Sequence, residues 1–290
     1  MASMGKASRR KGDTKKTRPA PFARRPFEGM ESETDLVAMR EIVPAATATV
    51  TLREPVADVS TATLVTVLPL AWPGLRRADG EVLAGLQSGT SSGDASRDLA
   101  QVLLAAAETE PGSPVATLPL ATEDTPRLQD LLDPSAPLDI TVHEGFDFWV
   151  GDGDLDEEGR ESLQRANDSA IPTVKLEGVR SAYWCLIGDR AYVRQVLPDD
   201  EDAATDALAR LHARGESALT DTHRLLGAFR ACGLLIPVWE VDPEADPASF
   251  SDPAQQMQQR YAEALAESTP LSADERRARS GLLSRQITLR

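Results

Sequence analysis

The chain has 290 residues, 41% of them apolar, enough for a sizeable core in one large domain or two small ones. Its net charge of −15 is unevenly placed: residues 1–26 carry nine Lys or Arg against one acid, Asp13, a net of +8, so the remainder carries −23 and repels phosphate backbones. The two cysteines, Cys185 and Cys232, lack CxxC or Cys/His spacing, which argues against a disulfide framework or structural zinc site, and no apolar run is long enough to span a bilayer.

Residues 1–28 are expected to be a disordered basic arm. The run "MASMGKASRRKGDTKKTRPAPFARRP" has little apolar content beyond Phe22, its like charges repel, and Pro19, Pro21 and Pro26 break any helix. No apolar segment of the secretory kind follows, so a cytoplasmic protein is the simplest expectation. "ESETDLVAMREIVPA" at 31–45 predicts a short amphipathic helix, capped by Ser32 or Thr34 and stopped by Pro44.

Residues 29–118 are predicted to hold that helix and a first lobe. "ATVTL" and "STATLVTVLPLAW" predict strands, "DGEVLAGLQSG" a short helix, "DASRDLAQVLLAAAETEPG" a longer one, and "SPVATLPL" a strand. An acidic connecting segment, 119–171, includes "LDITVHEGFDFWV", a plausible strand pair. Residues 172–243 repeat the order of the first lobe. "PTVKL" leads into the hairpin "RSAYWCLIGDRAYVRQVL", then the helices "DEDAATDALARLHARGE" and "LTDTHRLLGAFRACG", then the strand "LLIPVWEV".

Val50 matches Val174, Leu83 matches Leu208, Leu99 matches Leu225 and Val115 matches Val238, at offsets of 123 to 126 residues. The expected architecture is therefore α+β, with two pseudo-repeated β-hairpin/helix/helix/strand lobes packed into one body. Residues 244–290 supply a linker, a helix at 254–268 with Met257, Tyr261 and Leu265 on one face, and a charged tail read as a second mobile arm.

Each candidate site has a bland alternative. Asp152, Asp154 and Asp156 alternate as in a calcium loop, but Glu157 stands at the sixth position and Leu163 at the twelfth, so a solvated acidic turn is the better reading. No two of His143, His212 and His223 share a metal-ligand spacing, and structural roles are expected for all three. Trp72, Trp149, Trp184 and Trp239 are assigned to packing, because an acidic body disfavours base stacking. Neither a GxSxG elbow, a GxxxxGK[ST] loop nor a dinucleotide fingerprint is present.

At "FEGMESETDLVAMREIVPAATA", "DALARLHARGE" and "FRACGLLIPVWEV" the chain resembles uncharacterised actinobacterial proteins that share one domain of unknown function, over about residues 1–268. The stretch Glu41–Ala48 is distinctive. Some relatives bear automatic names suggesting protein translocase or topoisomerase; the absence of a nucleotide-binding motif and of a zinc-binding tail supports neither. The resemblance implies no activity and carries over no functional residue.

The sequence reading is a cytoplasmic, non-catalytic binding or adaptor protein without a cofactor or metal. Its arm residues Lys6, Arg9, Arg10, Lys11, Lys15, Lys16 and Arg18 would contact an anionic partner such as nucleic acid or the ribosome. One alternative is an enzyme with an acidic inter-lobe cleft drawing on Glu144, Asp152, Asp154, Asp156, His143 and Arg180 or Arg230. Another is a structural partner that docks on a protein through the C-terminal helix.

Overall fold

Alternation along β1 (Ala46–Val56) sorts the strand into two faces: Ala46, Ala48, Val50 and Leu52 are buried, while Thr49, Thr51 and Arg53 are exposed. In the computed structural model, which describes residues 18–87, 91–150 and 157–284, β1 belongs to a six-stranded sheet. The sheet runs from β5 (Ser113–Pro114) through β3 (Gly74–Arg76), β4 (Val82–Gly85) and β2 (Val59–Val65) to β1 and β6 (Thr141–Val142). β2 and β4 are parallel; the other neighbours are antiparallel.

The inner face packs against α1 (Glu33–Glu41), α2 (Ala95–Glu108) and the short α3 (Leu128–Leu131). α2 starts where the Asp94 carboxylate accepts from the Ser96 and Arg97 amides, and it buries Leu99, Val102, Leu103 and Ala106 at helical spacing.

A second sheet runs β10 (Leu225–Ala231), β11 (Leu234–Val241), β9 (Arg190–Gln195), β8 (Ala182–Ile187) and β7 (Thr173–Lys175), antiparallel throughout. One face, with Trp184, Val193, Leu235 and Trp239, packs on α5 (Glu201–Arg214), α6 (Ser251–Leu265) and α7 (Ala273–Ser284). α5 is capped by Asp200 and ends at Gly215, whose φ of 76° is the left-handed turn glycine adopts freely. On the other face Tyr183, Val196, Leu234 and Ile236 join the first sheet's core beside Leu36 and Met39 of α1. The two halves thus share one core, with α1 between the sheets. Pro237, which has no N–H to give, lies just where the β11–β9 ladder ends at Val238 and Arg194. Between the halves, α4 (Glu157–Asp168) buries none of its residues.

The α+β class holds, and the internal order differs from the expectation. The predicted helix at 79–89 contains β4 instead, a four-residue apolar run buried between β2 and β3. The predicted helix at 219–233 contains β10, paired to β11 through a tight turn in which Cys232 and Gly233 both have positive φ. Short apolar runs do not reveal their period, and long-range pairing decided both. Each half therefore has one long helix where two were expected. Leu83 is on a strand and Leu208 on a helix, Leu99 on a helix and Leu225 on a strand, so the proposed register of duplication is not confirmed.

The strand at 113–120 shrinks to β5, and the expected pair at 138–150 becomes β6 and a 3-10 turn, Asp147–Trp149. Within the charged tail, residues 273–284 form α7, anchored by buried Leu282. Ser32 makes no side-chain cap, and the Thr34 hydroxyl bonds to Ser181 instead.

Candidate functional site

The basic leader enters the described structure at Arg18, which is exposed. Lys6, Arg9, Arg10, Lys11, Lys15 and Lys16 lie outside the described residues, as does most of the expected disordered arm. From Arg18 to Met30 the chain forms a strap laid across both halves. Pro19 bridges Thr122, the Ala20 amide donates to Ala121 at 3.1 Å, and the Ala23 amide donates to Gly93 at 2.9 Å. Arg24 pairs with Glu201 of the second half at 2.7 Å, and Arg25 pairs with Glu33 of α1 at 2.6 Å while also donating to the Pro198 carbonyl. Phe27 is 1% exposed. The expected arm boundary at residue 28 thus falls inside a docked segment, because two of the leader's cations find acids on the body.

Beneath the strap lies a cleft of 280 Å³ between the halves, lined by Phe22, Arg24, Arg40, Glu41, Arg230 and Cys232, with Glu201 at its wall. Glu201 receives both Arg24 and Arg230. Cys232 Sγ lies 3.9 Å from the Glu41 carboxylate, and burial, with that carboxylate's charge second, pushes its thiol up to about 12. A β-carbon added at Gly233 would stand 2.8 Å from the Arg24 carbonyl, so the strap passes as close to the β10–β11 turn as a glycine allows. This cleft is filled with neutralised charge rather than an exposed acid–base pair.

Of the groups named for an enzymatic cleft, the described ones do not converge. Arg180 is committed to Asp35 and Glu31, and Arg230 to Glu201. His143 Nε2 sits 2.9 Å from Thr47 Oγ1 on the first sheet, and burial lowers its pKa, partly offset by Asp147. Glu144 is exposed beside it, and Asp152, Asp154 and Asp156 lie outside the described residues. His212 bonds Ser217 at 2.9 Å; His223 bonds Thr220 at 2.7 Å and meets Phe250 edge-on. The tryptophans pack: Trp239 donates to the Ser217 carbonyl, Trp149 donates to the Val67 carbonyl and stacks on Phe146, and Trp184 is buried in the second core. Met257 and Tyr261 of the expected docking stripe are buried in the same core, with Leu265 packed on it, so the stripe is not free for a partner.

Sequence reading missed a polar latch between α1 and β8. Asp35, 4% exposed, accepts from the Ser181 hydroxyl at 2.7 Å and from Arg180 at 3.0 and 3.1 Å. Ser181 is fully buried at a φ of 51°, a conformation rare for a residue with a β-carbon. Nearby, buried Arg194 donates to the Ile42 carbonyl at the end of α1, at 2.8 Å, and burial pulls its pKa down. The only sequence signal was an acid in the first turn of an amphipathic helix, which reads as a dipole effect.

Among the described residues no helix is long and apolar enough to cross a membrane, and no group of three or more His, Cys, Asp or Glu is arranged to hold a metal. Residues 26–290 match the model of a family of unknown function, DUF5926. No curated protein and no solved structure matches the chain.

Proposed function

The chain belongs to the DUF5926 family, of unknown function, and for it we propose a non-catalytic binding role in which the basic leader contacts an anionic polymer. Charge division carries the reading: nine Lys or Arg stand in residues 1–26 against one acid. Arg24 and Arg25 are held by acids of the body, which leaves Lys6, Arg9, Arg10, Lys11, Lys15 and Lys16 ahead of the strap and Arg18 exposed at its start. A cationic segment of this kind neutralises phosphates and releases counterions without a folded surface of its own. The acidic body repels the same polymer, so contact is confined to the leader. Nucleic acid, free or ribosomal, is the partner this chemistry favours.

The test is binding to a labelled nucleic-acid duplex across a salt series. With about six phosphates neutralised, the slope of log K against log salt should be about −5, a loss of about a thousandfold between about 50 and 200 mM salt. Deletion belongs after Thr17, because a cut at residue 26 would also remove the strap. A protein lacking residues 1–17, or with the seven cations changed to Gln, should lose both binding and slope. Equal binding by the shortened chain refutes the proposal.

A further inference from the structure

On its outer edge β1 meets β6 only at Ala46–Val142 and Thr47–Thr141, and the next pairing there is a single bridge, Leu52–Leu132. The Ala46 carbonyl accepts from Thr66 on the β2 side at 3.1 Å, and the Ala45 carbonyl accepts from His143 on the β6 side at 2.9 Å. Backbone alternation then aims the N–H and C=O of Thr49 into the gap on the β6 side, with those of Thr51 next to the bridge. Among the described residues no ladder partner stands opposite Ala48 to Thr51 on that edge. The connector that follows Leu132 carries Pro134 and Pro137, which have no N–H to offer a strand. Between strand and connector lies a cavity of 460 Å³, lined by Thr49, Leu52 and Arg53 on one side and Leu132, Ala136 and Leu138 on the other.

We propose that this gap binds the free C-terminal end of an extended peptide whose last side chain is apolar. Unpaired strand positions beside an apolar cavity are the requirements for strand addition: backbone bonds hold the peptide, and the cavity reads a side chain. The slot is closed at both ends, by β6 and by the Leu132 bridge, and four residues of strand span about 13 Å. A strand running through would meet one of those walls; a chain end stops inside. Rim charge selects which end. Arg53 is exposed and enters no ion pair among the described residues. Asp133, across the mouth, already accepts from the Ser135 amide at 2.9 Å and hydroxyl at 2.8 Å. The Arg53 and Asp133 charges act on each other across the mouth, and the guanidinium donors of Arg53, which no hydrogen bond among the described residues takes up, complement a carboxylate. Buried Met30 and Leu138 form the apolar floor. The site is independent of the leader, and removing residues 1–17 leaves it unchanged.

The experiment measures fluorescence anisotropy of the full chain with a labelled pool of pentapeptides ending in Leu, Ile, Val or Phe, and with the same pool as C-terminal amides. The acid pool should bind about tenfold more tightly than the amides, and Arg53→Ala should erase that difference. Thr49→Pro removes the edge N–H while sparing the ladder to β2, and Ala136→Trp fills the cavity; each should weaken binding about tenfold or more with the circular dichroism spectrum unchanged. If Thr49→Pro does not fold, Ala136→Trp and Arg53→Ala decide. Absence of binding by the acid pool at about 1 mM, equal binding of acid and amide pools, or full binding by Ala136→Trp overturns the proposal.

Discussion

Asp35→Ala tests whether the α1–β8 latch holds the halves together. Asp35 has a side chain 5% exposed, whereas its partner Arg180 is 41% exposed. Ser181, fully buried, would lose its charged acceptor and keep only Thr34, at 2.8 Å. Loss of that hydrogen bond costs about 2 kcal/mol. Arg180 can turn to water and still reach Glu31, so after solvent screening its share is below about 1 kcal/mol. Asp35 also sits in the first turn of α1, where its charge contributes about 0.5 kcal/mol. Together the substitution should destabilise the protein by about 3 kcal/mol. Urea unfolding at neutral pH should show a lower midpoint and an unchanged slope. In a Ser181→Ala background the same substitution should cost about 2 kcal/mol less, since the shared bond is already gone. A loss under about 1 kcal/mol, or full additivity of the two changes, would show that the latch is decoration on a seam held by apolar packing alone.

Two further outcomes follow from groups in the same seam. The Tyr183 hydroxyl is fully buried without a hydrogen-bond partner among the described residues, so Tyr183→Phe should leave stability unchanged or raise it by about 1 kcal/mol in the same urea assay; a loss of that size would reveal a bond made in solution. Cys232, held as a neutral thiol up to about 12, should react slowly with a disulfide reagent at pH 8. Glu41→Gln removes a charge that raises this thiol, so it should speed the reaction, with burial keeping the rate below that of a free thiol; no change on substitution would place Glu41 outside the thiol's field.

Strong local signals were legible in the sequence. Asp94 ahead of a long apolar-periodic run predicts α2, Asp200 and Gly215 bracket α5, and the alternation around Gly188-Asp189 predicts the β8–β9 hairpin. Each rests on contacts within a few residues. Val82–Gly85 and Leu225–Ala231 were misread because their identity depends on partners far along the chain: β2 and β3 for one, the positive-φ turn to β11 for the other. α7 was missed for the opposite reason: its charged sequence hides the one contact, Leu282 in the second core, that anchors it. The leader's charge was visible, and the division of that charge was not, since only the fold brings Glu33 and Glu201 to Arg25 and Arg24. The edge slot on β1 was likewise invisible, because it consists of backbone groups left without neighbours.

The strap gives the leader a mechanical meaning. Its root is stitched to α1 through Arg25, to α5 through Arg24 and to the first half through Ala20 and Ala23. A load applied by anything gripping the leader meets the bonds of Ala20 and Ala23 first and, once these yield, passes to the seam between the sheets, where Glu33 and Glu201 hold Arg25 and Arg24. Tether and seam are thereby one continuous element, and tension at one end is legible at the other.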